Sequence, residues 1–380
     1  MHSRYVRILA LVAAAVLSVG ALAACGSDDD NGTTTGSAGA TGSSTTAGGK
    51  SGKIALLLPE NKTARYESQD RPLFEAKMRE LCPDCEVIYS NAEQDASKQQ
   101  SQAEAAITNG ARVLVLDPVD GRAAAAIVAR AKQSDIGVVA YDRAIENADV
   151  DYYISFDNEE VGRLQARTLI EGLRRMGRTS GDLVMINGAP TDPNAALFKR
   201  GAHSVLDTSD FRVGKEYDTP DWSPDRAQTE MEQAITALGR NGFVGVYAAN
   251  DGTAGGAIAA MRSNGIDPST RPTTGQDAEL AGIQRIVAGQ QYMTVYKAIK
   301  PEAEDAAQLA YDLLNGNTSS DLVNQRVDNG MKQVPSVILT PVAVTRDNIR
   351  DTVVRDGFWT VRQICTSAYA AACREAGLTQ

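Results

Sequence analysis

Beyond Lys53 the chain alternates short aliphatic runs with segments whose apolar residues recur every three or four positions. The run Ile54–Leu58 ends at Pro59 and Glu60. An amphipathic stretch follows with Leu73, Phe74, Met78 and Leu81 on one face, then Glu86–Tyr89. A helix over 97–109, closed by Gly110, leads into Val113–Leu116 and Asp117, and an alanine-rich helix leads into Val138–Tyr141 and Asp142. Continuous aliphatic strands separated by helices predict a parallel sheet covered on both faces. The pattern restarts after Asp157: Asn158 is placed to cap a helix through Ile170. Then come Leu183–Ile186, a helix through Leu206, Val244–Tyr247 ending at Asn250 and Asp251, another helix, and Thr273–Gly275 ending at Asp277. The fold class this predicts is α/β, two doubly wound parallel-sheet lobes of roughly 100 to 130 residues each.

Polar residues recur where strands end: Glu60, Asp117, Asp142, Asp157, Asn250, Asp277 and Lys297. In an open parallel sheet the carboxyl ends of the strands are where ligands bind. The same residue types also cap helices and turn the chain, so a single one carries no assignment.

The amino terminus follows another pattern. Arg4 and Arg7 precede an apolar run from Ile8 to Ala24 broken only by Ser18 and Gly20, which reads as a secretory signal. At 17 residues with two interruptions it is short for a permanent membrane span. Its end, Leu22-Ala23-Ala24-Cys25, resembles the bacterial lipobox, which implies cleavage after residue 24 and diacylation of Cys25. Gly26 to Lys50 is Gly, Ser and Thr with three aspartates; it cannot bury a core and reads as a flexible tether, reaching about 25–30 Å. The GGKS string at its end lacks the glycine that a phosphate loop needs at Ser44. A signal peptide over 1–24 and a lipid-anchored tether over 25–52 are therefore expected, on the extracytoplasmic face of a bacterial cell membrane.

Composition sharpens this picture. The 380 residues are 43% hydrophobic, which excludes wholesale disorder. They carry 38 basic and 48 acidic side chains, and loss of Arg4 and Arg7 with the signal makes the mature chain more acidic still. Such a surface does not collect nucleic-acid phosphates. Apart from Cys25 there are four cysteines, Cys82 and Cys85 in a CxxC and Cys365 and Cys373 near the end. In an exported chain two structural disulfides are the favoured reading over redox or metal chemistry. A zinc site wants four ligands, and the mature chain has one histidine, His203, so neither a metal nor another cofactor is expected. Should Cys365 and Cys373 pair, a turn must separate them, since eight residues of helix rise about 12 Å and bridged Cα atoms lie within about 7 Å. Otherwise the pairing differs.

A lipobox, a tether and two such lobes resemble a type I periplasmic sugar-binding protein, the receptor component of an ABC importer, and within that family the xylose-binding subgroup. The resemblance covers nearly all of Lys53 to Leu314. It is carried by Tyr141-Asp142-Arg143, Asp151 to Asn158, Gly162 with Leu164-Gln165-Ala166, Asn194-Ala195 with Leu197-Phe198, Asn250-Asp251 with Thr253 to Ile258, Gln276-Asp277-Ala278 with Leu280 to Ile283, and Met293 to Lys297. It implies that Asp142 and Arg143 from one lobe, Asn194, Asn250 and Asp277 from the other lobe and hinge, and Lys297 from the returning strand bind sugar hydroxyls. Trp222, in the polar loop DTPDWSPD, would lie against the apolar face of the ring. Arg65 and Tyr66 are the matching arginine and aromatic, although the spacing to Asp70-Arg71 is one residue longer than the family shows; that following pair reads as a surface ion pair.

The resemblance further implies a three-strand hinge. The amino-terminal lobe would comprise 53–156 with 279–332 and the carboxy-terminal lobe 157–278 with 333–362, leaving 363–380 as an extension tied by a disulfide. Crossings would fall near Phe156–Asn158, Asp277–Glu279 and Gln333–Thr340. The expected partners are a monosaccharide, D-xylose or a related pentose or hexose, and an ABC permease with its ATPase, the chain acting as a monomer. Its hydrogen-bonding candidates include three cations and two carboxylates, which a neutral sugar fits and a sugar acid also satisfies. A chemosensory or sensor-kinase receptor is the alternative. A glycoside-processing enzyme would need two carboxylates across one bond, and no motif pairs them. A sugar-responsive regulator of the lac-repressor family would begin with a helix-turn-helix.

Overall fold

The computed structural model describes residues 50–379. Cys25, the signal segment and nearly all of the tether lie outside the described residues. The first lobe opens with β1 (Lys53–Leu58), α1 (Arg71–Leu81), β2 (Glu86–Asn91), α2 (Ala96–Thr108), β3 (Ala111–Leu116), α3 (Ala125–Lys132), β4 (Gly137–Tyr141) and β5 (Tyr152–Phe156). The chain then crosses into α4 (Asn158–Arg175), β6 (Gly181–Asn187), α5 (Pro193–Leu206), β7 (Phe211–Asp218), α6 (Pro224–Leu238), β8 (Gly245–Ala248), α7 (Asp251–Ser263), α8 (Leu280–Val287) and β9 (Met293–Tyr296). It returns as α9 (Ile299–Leu314), β10 (Gln325–Asp328) and β11 (Gln333–Leu339). It ends in the second lobe as β12 (Val342–Thr345), α10 (Val361–Ile364) and α11 (Ala370–Glu375).

The first sheet runs β10-β11-β5-β4-β3-β1-β2 and is parallel except for β10. The aliphatic strands are buried on both faces, beneath α1 and α9 on one side and α2 and α3 on the other. In the second lobe β7, β6 and β8 are parallel. Segment 273–277 continues from β8 toward β9 through a bridge at Thr273 and backbone bonds at Gly275 and Asp277, and β9 pairs antiparallel with β12. Each sheet therefore carries an antiparallel pair that the wholly parallel expectation did not include.

The lobe limits differ from those expected in two places. Residues 279–296 belong to the second lobe, because Met293 and Val295 pack into its core and Val295 bonds to the 273–277 segment. The second crossing thus falls at Lys297–Ala298 and not at Asp277–Glu279. Residues 333–339 belong to the first lobe, since β11 is hydrogen-bonded to β5, and the third crossing follows Leu339.

Two local differences have simple causes. Asp157, not Asn158, caps α4, accepting from the Glu160 N–H at 2.9 Å, with Glu159 and Glu160 in the first turn and Arg174 and Arg175 in the last complementing the helix dipole. The Asn158 amide is released to reach Ser155 and Asn194. Strand β7 reads FRVGKEYD, an edge strand with most side chains partly or fully exposed, so it has no aliphatic run to reveal it.

Disulfides join Cys82 to Cys85 and Cys365 to Cys373. Residues 366–369 turn the chain between α10 and α11, leaving the latter Cα atoms 5.9 Å apart. This carboxy-terminal segment shares a core with Ile283, Tyr296 and Val344 of the second lobe.

Candidate ligand-binding site

The carboxyl ends of the strands in both lobes face one small cavity. All nine candidates, Arg65, Tyr66, Asp142, Arg143, Asn194, Trp222, Asn250, Asp277 and Lys297, line it, joined by Thr63, Asp192, Phe198 and Gln276. Of the other strand-end residues, Glu60 accepts from the N–H of Lys62 and Thr63, Asp157 caps α4, and Asp117 lies behind Arg143.

Arg65 and Tyr66 enter on a single π turn in which the Arg71 N–H reaches back to the Tyr66 carbonyl. That wider turn takes up the extra residue before Asp70. It also overturns the surface reading of that pair: Asp70 is buried, and Arg71 pairs outside with Glu75. Asp70 accepts from Arg65 Nε at 3.0 Å and from an Nη at 2.6 Å, and Glu302 of α9 accepts from the same Nη at 2.7 Å. Three of the five guanidinium protons are thus held from behind, which aims the other Nη at the cavity, 3.3 Å from Asp142 and 3.8 Å from Asp277.

Asp142 is the first lobe's central carboxylate. One oxygen meets Arg65 and, at 3.2 Å, Lys297 Nζ; the other accepts from the Tyr66 hydroxyl at 3.1 Å. Burial alone would raise its pKa, but Arg65, Lys297 and Arg143 outweigh burial and hold it far below the usual range. Lys297 also approaches Asp277 at 3.5 Å and stands over the rings of Phe156 and Phe198. Against desolvation, Asp142 keeps Lys297 protonated.

Arg143 reaches across the cleft to Asp192, with Nε to carboxylate oxygen 3.0 Å, and the same oxygen accepts from Trp222 Nε1 at 3.1 Å. Burial pushes the Asp192 carboxyl up while Arg143 draws it down. Asn194 donates to the Asp142 carbonyl at 3.0 Å, a second bond between lobes. Asn250 spends its carbonyl oxygen capping α7 on Thr253, leaving its amide NH₂ for the cavity. Trp222 packs edge-on to Phe198 at 6.3 Å, and a Cβ at Gly188 would lie 2.0 Å from its indole.

Asp142, Trp222 and Asp277 all have positive φ, at 53°, 52° and 85°. Such backbone costs about 1–3 kcal/mol each and persists where the surroundings dictate it. Asp277 Oδ1 and Gln276 Oε1 are buried without a hydrogen-bond partner among the described residues. With Asp192 included, the lining charges are Arg65, Arg143 and Lys297 against Asp142, Asp192 and Asp277, three against three. Sequence reasoning missed Asp192, whose signal was the DPN string capping α5 two residues before Asn194. Glu302 left no signal, because its partner Arg65 is 237 positions away, and Asp70 was read as a surface residue because nothing in the sequence marks the π turn that buries it.

The periplasmic binding protein domain model matches residues 54–318. The D-xylose-binding periplasmic protein of Escherichia coli is 40% identical over 316 residues, 82% of this chain and 92% of that protein. Its counterpart from Haemophilus influenzae is 38% identical over 84% of this chain and 93% of its own length. Among solved structures, an ABC transporter solute-binding protein of Clostridium phytofermentans with bound β-D-glucose superposes with a TM-score of 0.74. It is 29% identical and covers 82% of this chain and 99% of its own. The chain belongs to the periplasmic binding protein family.

Proposed function

We propose that this protein captures a monosaccharide, D-xylose or a closely related pentose or hexose, between its lobes and delivers it to an ABC importer. The observation that carries the proposal is the charge-balanced cavity in which cations, carboxylates and amides from both lobes converge beside an aromatic wall. Each sugar hydroxyl is both donor and acceptor, and such a set satisfies both roles through charge-assisted bonds. Arg65, Tyr66, Asp142 and Arg143 bind from the first lobe, Asn194, Asn250 and Asp277 from the second, and Lys297 from the crossing strand. The Trp222 ring lies against the sugar's apolar face. A ligand touching both lobes favours the closed form by its differential affinity for it, the three crossings acting as the hinge.

The relatives named for D-xylose and the neighbour holding β-D-glucose support a neutral aldose, as does a lining without excess charge. In this reading the protein is a monomeric receptor without catalytic turnover, anchored outside the membrane through Cys25. Calorimetry against a panel of pentoses, hexoses and uronic acids tests the ligand. Micromolar binding of a neutral aldose is expected, and no heat with any of the panel, or turnover of a xyloside, overturns the reading. Release of a Cys25→Ala protein from the membrane fraction tests the anchor, and its retention there refutes it.

A further inference from the structure

Behind the cavity lies a second layer of residues, each within two positions of a lining residue in the chain. Asp251 follows Asn250, Glu279 lies two residues after Asp277, and Ala64 precedes Arg65. Asp251 is fully buried at the start of α7 and accepts from the side chains of Gln291 at 2.6 Å and Thr294 at 3.0 Å, and from the Glu279 N–H at 2.9 Å. A Cβ at Gly275 or Gly282 would lie 2.0 or 2.3 Å from its carboxylate oxygens, so glycine at both positions makes room for it. The backbone of Glu279 is thus pinned to the second lobe. Its side chain reaches the other way, and Oε1 accepts from the Ala64 N–H of the first lobe at 3.2 Å.

We propose that Glu279 is a positioning residue for ligand binding: from outside the cavity it holds Ala64, and with it Arg65, against the second lobe when the lobes close. Other bonds span the cleft outside the lining side chains, from the Gly121 N–H to the Thr191 carbonyl and from the Gln94 side chain to the Asp221 carbonyl. These use neutral groups. Glu279 brings a carboxyl to a place already occupied by carboxyls: Asp251 of α7 and Asp277 face it, Arg285 of α8 is the nearby cation, and the first lobe offers the Ala64 amide. Burial, then Asp251 and Asp277 of its own lobe, raise Glu279 from the ordinary 4.5 to about 8, while the Ala64 N–H draws it down. At pH 6 the group is therefore a neutral carboxyl, which accepts from the Ala64 N–H as a side-chain amide would.

The inference rests on the sugar-binding reading. Its test is calorimetry with D-xylose at pH 6, with thermal melts as a check on folding. Glu279→Gln, a neutral acceptor of the same shape, keeps the parent's affinity. Glu279→Ala, which loses the contact, weakens binding about fivefold at pH 6. A parent that binds no sugar overturns the reading and this inference with it. With a binding parent, parental affinity in Glu279→Ala, or a loss in Glu279→Gln as large as that in Glu279→Ala, overturns the inference alone.

Discussion

Replacing Asp142 by asparagine isolates the charge at the centre of the site. The substitution keeps shape and volume, and asparagine tolerates the φ of 53° at this position as well as aspartate does. What disappears is the negative charge 3.3 Å from Arg65 and 3.2 Å from Lys297. At an effective dielectric constant near 20, unit charges about 4 Å apart attract by about 4 kcal/mol, and leaving buried charges uncompensated costs about 3–5 kcal/mol. The unfolding free energy should fall by that order, measured by denaturant titration. The loss of a charge-assisted bond to a sugar hydroxyl should weaken aldose binding by about 1.5–3 kcal/mol, roughly 10- to 150-fold, measured by calorimetry. The lining charge also changes from balanced to one net positive, so Asp142→Asn should narrow or reverse the preference for a neutral sugar over its uronic acid. Because Asp142 is held far below the usual carboxylate range, the parent should show no affinity change between pH 4 and 6 traceable to it. Aldose binding by Asp142→Asn within threefold of the parent would refute the assignment, whatever its stability.

Gly188→Ala places a Cβ 2.0 Å from the Trp222 indole, where contact distances are about 3.5–4.0 Å, so the ring must move toward the cavity. Sugar affinity should fall at least tenfold, and calorimetry showing parental affinity would mean the ring does not form the cavity wall. Trp222 fluorescence should change on adding sugar, and a Trp222→Phe protein with the parent's response would assign the signal to Trp359 instead. Opening the Cys365–Cys373 bridge, which closes a separation of eight residues, should cost about 2–3 kcal/mol. A Cys365→Ser, Cys373→Ser protein should therefore melt several degrees lower while binding sugar within twofold of the parent. An unchanged melt would show that the α10–α11 core holds without the bridge.

Long aliphatic strands and helical periodicity were enough to predict two α/β lobes, because strands buried on both faces must be continuously apolar and their covering helices must be amphipathic. Strand ends offered Asp142, Asn250, Asp277 and Lys297, since a parallel sheet fixes which end of each strand faces the cleft, while Arg65, Tyr66, Arg143, Asn194 and Trp222 came from the family resemblance; the structure gathers all nine round one cavity. Edge strand β7, partly exposed along its length, has no such signature, and Asp157 and Asn158 differ as caps only through the backbone that places them. Which sheet received residues 279–296 and 333–339 was a matter of partners: β9 joins the second lobe and β11 the first through hydrogen bonds that any apolar strand can make. Tertiary structure alone decided the charge balance. Asp192, Asp70 and Glu302 meet Arg143 and Arg65 across 49, 5 and 237 positions of chain, and electrostatic pairing depends on distance in space. The sequence by itself determined the lobes and the chemistry offered at their facing ends; only packing determined which charges cancel there.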